Sequence, residues 1–321
     1  GYLTNETVFN LTERPRRLLV IGGGPLGCEL AQAFARLGCE VIIANRERYF
    51  LPGEERDAAE ILADALRRDG IEVRLNTEVV CVSHRDGEKH VRLVNDSQEA
   101  TVVVDEILVG AGRVPNVEGL NLEAAGVEYD HEDGVRVNDY MQTRNRHIYA
   151  AGDVALERKY THTADATARI VIQNALFWGR KKLSSLTIPW CTYTDPEIAH
   201  VGRYVKESRQ RGFPLKTFTV PMSDVDRAVL DGEEEGFVKI HVRDGTDKIL
   251  GATIVARHAG EMINEISLAM VAGIGLKTVS QVIHSYPTQA EAIRKAGDAY
   301  NRTRLSPLLK ALSRRWLAWS R

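Results

Sequence analysis

Gly22-Gly23-Gly24-Pro25-Leu26-Gly27 sets glycines at the spacing GxGxxG, directly after the apolar run Leu18-Leu19-Val20-Ile21 and before an Ala/Leu-rich stretch. That context predicts a strand, a tight turn and a helix from about Pro25 to Leu37, the arrangement in which this spacing binds a dinucleotide. Gly22 permits the turn, Gly24 lets a pyrophosphate come close to the backbone, and Gly27 lets helix and strand pack together. The helix N-terminus adds partial positive charge for the phosphates. A second strand, Val41 to Ala44, runs into Asn45-Arg46-Glu47-Arg48. An acid at such a strand end hydrogen-bonds a ribose 2′-hydroxyl, whereas arginine accommodates a 2′-phosphate. With no acid there, NADP is favoured, Asn45 and Arg46 are its expected contacts, and Glu47 keeps NAD open.

Thiol and metal chemistry have little to work with. The chain has 4 cysteines, Cys28, Cys39, Cys81 and Cys191, and no two are spaced as a metal clip or a redox pair. Buried or bystander thiols are expected, since free cysteine packs as a small hydrophobe.

These residues need elements to position them. At 321 residues, 44% hydrophobic and 27% charged, the chain exceeds one typical core and is expected to form two or three compact parts. Its net charge of −2 offers none of the basic excess that phosphate backbones require, which argues against nucleic acid. No apolar run approaches the roughly 20 residues of a membrane span and no signal-peptide pattern opens the chain, so no membrane partner is expected and it reads as cytoplasmic. Helical periodicity from Glu54 to Asp69, then an extended Ile71 to Leu75, continue the alternation of a parallel, helix-covered sheet. From Val79 to Val109 the pattern turns to alternating strands, as in an antiparallel layer. A first domain over 1–115 gives way to a smaller one over 116–186, with a short strand at His147 to Ala151 and a helix from about Ala164 to Lys181. Residues 187–300 read as an α+β domain, with strands at Phe213 to Val220, Gly236 to Val242 and Ile249 to Val255 and a helix from about Ala259 to Ala272. The tail, 301–321, is basic with Leu and Trp at helical spacing, and a helix packed on the body is expected.

Further motifs follow the glycine loop in order. They are Cys28-Glu29-Leu30-Ala31, Gly110-Ala111-Gly112-Arg113-Val114-Pro115-Asn116, the run from Thr143 to Tyr149-Ala150-Ala151-Gly152-Asp153, Thr194-Asp195-Pro196-Glu197, and His284-Ser285-Tyr286-Pro287-Thr288-Gln289-Ala290-Glu291. Together they resemble the class I pyridine nucleotide-disulfide oxidoreductases, over about Arg16 to Asp298. The resemblance implies an α/β fold: a Rossmann-like NAD(P)-binding domain, a central domain holding part of an FAD-binding domain, and a C-terminal α+β dimerisation domain. It further implies FAD and NADP as cofactors, a homodimer through the C-terminal domain, and electrons passing to a thiol pair, a metal ion or a small oxidant. Asp153 would accept a hydrogen bond from the flavin ribitol, Gly152 would admit the flavin chain, and Gly112 and Arg113 would lie against the nucleotide. Glu29, read in the first helical turn where negative charge suits the dipole, would reach a lysine beside the flavin ring.

Tyr286 departs from the family pattern, which has histidine there as acid-base partner to the thiolate. A phenol titrates near 10, so it donates a hydrogen bond or approaches a metal but serves poorly as a base. The mercuric reductase branch is similar in having tyrosine. That branch also ends in a vicinal cysteine pair, and this chain ends Leu317-Ala318-Trp319-Ser320-Arg321. Glu291 would orient whatever occupies the site; His284, sharing a face with Tyr286 in an extended segment, is a secondary candidate for a direct role. Because the chain starts at Gly1, a fragment or processed form is expected, with the redox cysteines upstream. Two functions then stand side by side: a flavin- and NADPH-dependent reductase, or an NADP-binding, dimerising module without turnover.

Overall fold

The computed structural model describes residues 1–96, 98–305 and 307–319. It divides into two compact units, Gly1–Ala111 with Pro189–Arg321, and Gly112–Ile188.

In the first unit the opening elements are β1 (Arg17–Ile21), α1 (Pro25–Arg36), β2 (Glu40–Ala44), α2 (Arg56–Arg68) and β3 (Glu72–Arg74). They continue with β4 (Glu78–Arg85), β5 (Glu88–Val94), β6 (Glu99–Val104) and β7 (Glu106–Val109). A parallel sheet runs in the order β3-β2-β1-β7. Its alternate residues Leu18, Val20, Val41 and Ile43 pack on Cys28 and Ala31 of α1 and on Leu62 and Leu66 of α2. Leu19, Ala44 and Ile107 face the other way, onto Val91, Leu93 and Val104 of the antiparallel β4-β5-β6 sheet. Cover on both faces is why β1 reads as an unbroken apolar run. One expectation is corrected: Glu106–Val109 does not extend the antiparallel layer but returns to pair in parallel with β1. Asp105 makes the switch, its carboxylate accepting from the Arg17 backbone N–H at 2.7 Å and the Arg17 guanidinium at 2.6 Å.

The second unit contains β8 (Tyr129–Asp130), β9 (Gly134–Val135) and α3 (Thr161–Leu176). The strand expected at His147 to Ala151 is absent; Tyr149 alone pairs, in an isolated bridge with Gln142. Its apolar residues Ile148 and Ala150 pack instead against a small cluster of Val117, Val127 and Val135. Helix α3 also stops short of Lys181. Gly179 N–H donates to the Gln173 carbonyl at 3.0 Å, and the Asn174 side chain bonds both backbone groups of Lys181 at 2.9 Å, so the chain folds back.

The remaining elements rejoin the first unit: β10 (Pro189–Thr192), β11 (Glu197–Gly202), α4 (Val205–Gln210), β12 (Leu215–Pro221), α5 (Asp226–Asp231), β13 (Phe237–Arg243), β14 (Ile249–Ala256), α6 (Ala259–Val271), α7 (Leu276–Val279), α8 (Glu291–Thr303) and α9 (Pro307–Trp319). An antiparallel sheet, β10-β11-β14-β13-β12, buries one face under Ile263 and Ile266 of α6 and Ile293 and Ala296 of α8. Its Ile198, Phe237 and Val255 enter the α1/α2 core. The tail forms a helix, α9, but Trp316 and Trp319 are 63% and 86% exposed, so the described residues there do not pack on the body as expected.

Polar contacts fasten the start of α2 to β13. Lys239, 8% exposed, donates to Glu55 at 2.8 Å and to Asp57. His241, fully buried, sets Nε2 3.3 Å from Glu55, at ion-pair distance though not aligned for a hydrogen bond. Burial alone would raise the Glu55 carboxyl, but His241 and Lys239 outweigh it and hold it at about 2. A depressed carboxylate contributes stability above its unfolded value of 4.5 and loses it as pH falls toward 2. Glu55→Gln is therefore expected to cost on the order of 2–3 kcal/mol at pH 7. In urea titrations that deficit should shrink by more than half at about pH 3; a deficit constant with pH would mean Glu55 acts by packing alone.

Candidate functional site

Gly22 has φ 103, and a Cβ on it would lie 2.7 Å from the Gly110 carbonyl oxygen; a Cβ on Gly27 would lie 2.0 Å from that of Gly22. Both glycines are required by the protein's own packing. Gly24 is different. It caps α1 at φ −77 and ψ 179, backbone open to any residue, and a Cβ there would meet nothing within 4 Å. The missing side chain leaves clear space at the N-terminus of α1, where no side chain caps the helix and no acid occupies the first turn. Unsatisfied N–H groups, dipole and clearance together fit a pyrophosphate.

Asn45 lies behind this loop. It is buried at 7%, its Oδ1 accepting from Gly23 N–H at 3.4 Å, so it holds the loop rather than presenting to a ligand as expected. Arg46 is exposed, one residue farther from β2, with no carboxylate partner among the described residues. Glu29 is corrected in place: α1 starts at Pro25, whose fixed φ suits the first helical position, which puts Glu29 past the first turn. Its carboxylate accepts from Tyr193 N–H at 2.8 Å, and burial raises its pKa against that hydrogen bond.

In the second unit, Gly152 takes φ 75 at the start of a short 3-10 turn and gives its N–H to Thr167 Oγ1 at 3.1 Å. Asp153 follows, its carboxylate 46% exposed and 3.2 Å from Arg113 Nη1, which also donates to the Lys159 carbonyl at 2.8 Å. Gly112 has φ 109 and open space beside it. The structure thus joins Arg113 to Asp153, a pairing their separation in sequence does not announce.

The C-terminal motif does not assemble as expected. His284, its side chain 7% exposed, is clasped by both carboxylate oxygens of Glu265 at 3.1 Å and by the Val282 carbonyl. Tyr286 points the other way, 70% exposed, so the two do not share a face; the segment is irregular rather than a strand. The Tyr286 hydroxyl donates to Asp226 at 2.8 Å. Glu291 instead holds Arg294 at 2.7 Å, and its Oε2 is buried without a hydrogen-bond partner among the described residues. Asp226 was missed because an acid in the first turn of a helix reads as dipole compensation. Its hydrogen bond and charge raise the Tyr286 phenol, which keeps it a donor.

Cys28 and Cys191 are held as protonated thiols by their surroundings. Burial pushes Cys28 up to about 12; burial, then the charges of Glu197, Glu29 and Glu54, raise Cys191. Cys39 is buried and Cys81 exposed.

Residues 1–169 match the family described as Pyridine nucleotide-disulphide oxidoreductase, and 188–297 match its dimerisation domain. A mercuric reductase of Staphylococcus aureus is 33% identical over 301 residues, covering 94% of this chain and 55% of its own length. A dihydrolipoyl dehydrogenase of Thermus scotoductus is 37% identical over 311 residues, covering 94% and 67%. Among solved structures, the HOCl-induced flavoprotein disulfide reductase RclA of Escherichia coli, in a Cu(II) complex, superposes with TM-score 0.86 at 29% identity, covering 93% of this chain and 67% of that one. The chain thus spans little more than half the length of the mercuric reductase it matches. With both domain matches, the motif order and the α/β architecture in agreement, the chain belongs to the class I pyridine nucleotide-disulfide oxidoreductase family.

Proposed function

We propose that this protein is a flavin-dependent NADPH oxidoreductase of the mercuric reductase-like branch, acting as a homodimer on a thiol pair, a metal ion or a small oxidant. The observation that carries the reading is the clearance at Gly24, where the fold gives no reason for glycine and a dinucleotide does. The α1 N-terminus would hold the pyrophosphate and Arg46 a 2′-phosphate; Gly152 and Asp153 would hold the flavin's ribityl chain. A bound flavin supplies hydride acceptance and onward electron transfer. Tyr286, kept protonated by Asp226, offers a hydrogen bond or an oxygen ligand to the substrate rather than a base. Anaerobic NADPH oxidation, followed with oxidised glutathione, lipoamide, Hg(II) and Cu(II) in turn, tests the reading and sorts its acceptors; no oxidation with any of them would overturn it. The positions of the cysteines favour a second reading for this chain, an NADP-binding, dimerising module without turnover. It requires nucleotide binding with no flavin absorbance.

Cofactor choice has its own test. Arg46→Glu exchanges attraction for repulsion at the proposed 2′-phosphate, so NADPH affinity should fall about 30-fold or more while NADH changes by less than about threefold. Parallel fluorescence titrations read the ratio. If both nucleotides weaken equally, Arg46 does not select the cofactor.

A further inference from the structure

The residues after 297 lie outside both family matches. Beyond Asp298, which pairs with Arg294 at 2.8 Å, they carry Arg302, Arg304, Lys310, Arg314, Arg315 and Arg321 and no acid, in a chain whose net charge is −2. Within α9, Trp316 and Trp319 stand three residues apart, hence on one helix face, and both indoles are mostly in water. At the root of this tail, Arg304, Tyr300 and Thr303 line a pocket of ≈ 550 Å³ together with Lys216, Arg243 and Lys277. None of these cations has a carboxylate partner within 4.0 Å among the described residues, although Asp244 and Asp247 also border the pocket. Basic helix and basic pocket therefore adjoin along the chain.

We propose that α9 and the basic pocket at its root dock this protein onto an anionic phospholipid surface. The described α9 is 13 residues long, about 20 Å against a hydrocarbon core of roughly 30 Å, and it carries Arg314 and Arg315 within its length. Lying in the interface needs only indoles at the headgroup level and cations against anionic lipid. An acid-free basic segment that also exposes two indoles matches an anionic headgroup layer in both charge and depth. The expectation of no membrane partner rested on the absence of a spanning run, which a surface helix does not need. The proposal stands apart from the redox reading, since it uses none of the nucleotide or flavin residues.

The test is co-sedimentation of the whole chain with vesicles of phosphatidylcholine alone or mixed with phosphatidylglycerol. Binding is expected to the mixed vesicles, to weaken with added salt, and to fall about tenfold or more in Arg314→Glu/Arg315→Glu and in Trp316→Ser/Trp319→Ser. NADPH titration of each variant shows that the body is folded. Absence of wild-type binding, equal binding to neutral vesicles, or variants that bind undiminished would each overturn the proposal. So would a loss of dimer mass by light scattering in the tail variants, which would make α9 an element of subunit contact.

Discussion

Gly24→Ala is expected to weaken NADPH binding by about 10- to 100-fold, the worth of a charge-assisted backbone contact to phosphate, while leaving the protein nearly as stable as before. The geometry separates two demands that one motif superimposes. At Gly22 the backbone sits at φ 103 and a methyl would press on the Gly110 carbonyl at 2.7 Å. Gly22→Ala should accordingly cost about 3 kcal/mol, adding backbone strain to a clash, and should lower the melting temperature by roughly 6–12 °C. At Gly24 neither penalty exists, and exchanging glycine for alanine at a helix cap costs only a fraction of a kcal/mol to about 1 kcal/mol. Thermal melts with calorimetric NADPH titration of both variants distinguish the roles. Wild-type affinity in Gly24→Ala would remove the clearance argument and with it the principal support for dinucleotide binding.

How much of this was readable beforehand depended on the distance over which each residue's neighbours act. The β1-loop-α1 unit was legible because strand period, glycine spacing and helix start are local and reinforce one another. β7 was misread because Glu106-Ile107-Leu108-Val109 has the composition of either sheet, and only its pairing with β1 decides. Nor could Lys239 and Glu55, 184 residues apart, be read as a buried ion pair, since charged residues ordinarily face water. Tyr286 was legible as a departure from histidine, but its partner was not: Asp226 reaches it from the start of α5. In the tail, helical spacing forecast the helix correctly. What covers a helix is a tertiary property, and apolar spacing alone does not reveal it.

Asp153→Ala is expected to abolish flavin retention, read as visible absorbance per polypeptide after purification, with NADPH affinity changed less than about twofold, because the glycine loop of α1 is untouched. The fold should tolerate the change. Arg113 and Asp153 are 56% and 46% exposed, and an ion pair so open to water contributes only about 0–1 kcal/mol. A carboxylate held by backbone at a fixed turn is worth more to a ligand hydroxyl, where the hydrogen bond is charge-assisted. The neighbouring Gly152 leaves little latitude: its Cβ would stand 3.0 Å from Ala164 Cβ, and its N–H is committed to Thr167, so the turn directs Asp153 one way. Arg113→Ala separates ligand binding from mere pairing. If Asp153 acts on the flavin, Arg113→Ala retains flavin where Asp153→Ala does not; if the ion pair itself builds the turn, both lose it alike. Equal flavin content in Asp153→Ala and wild type would sink the assignment outright, and Asp153 would then be a surface partner of Arg113 in a turn shaped by Gly152 and Thr167.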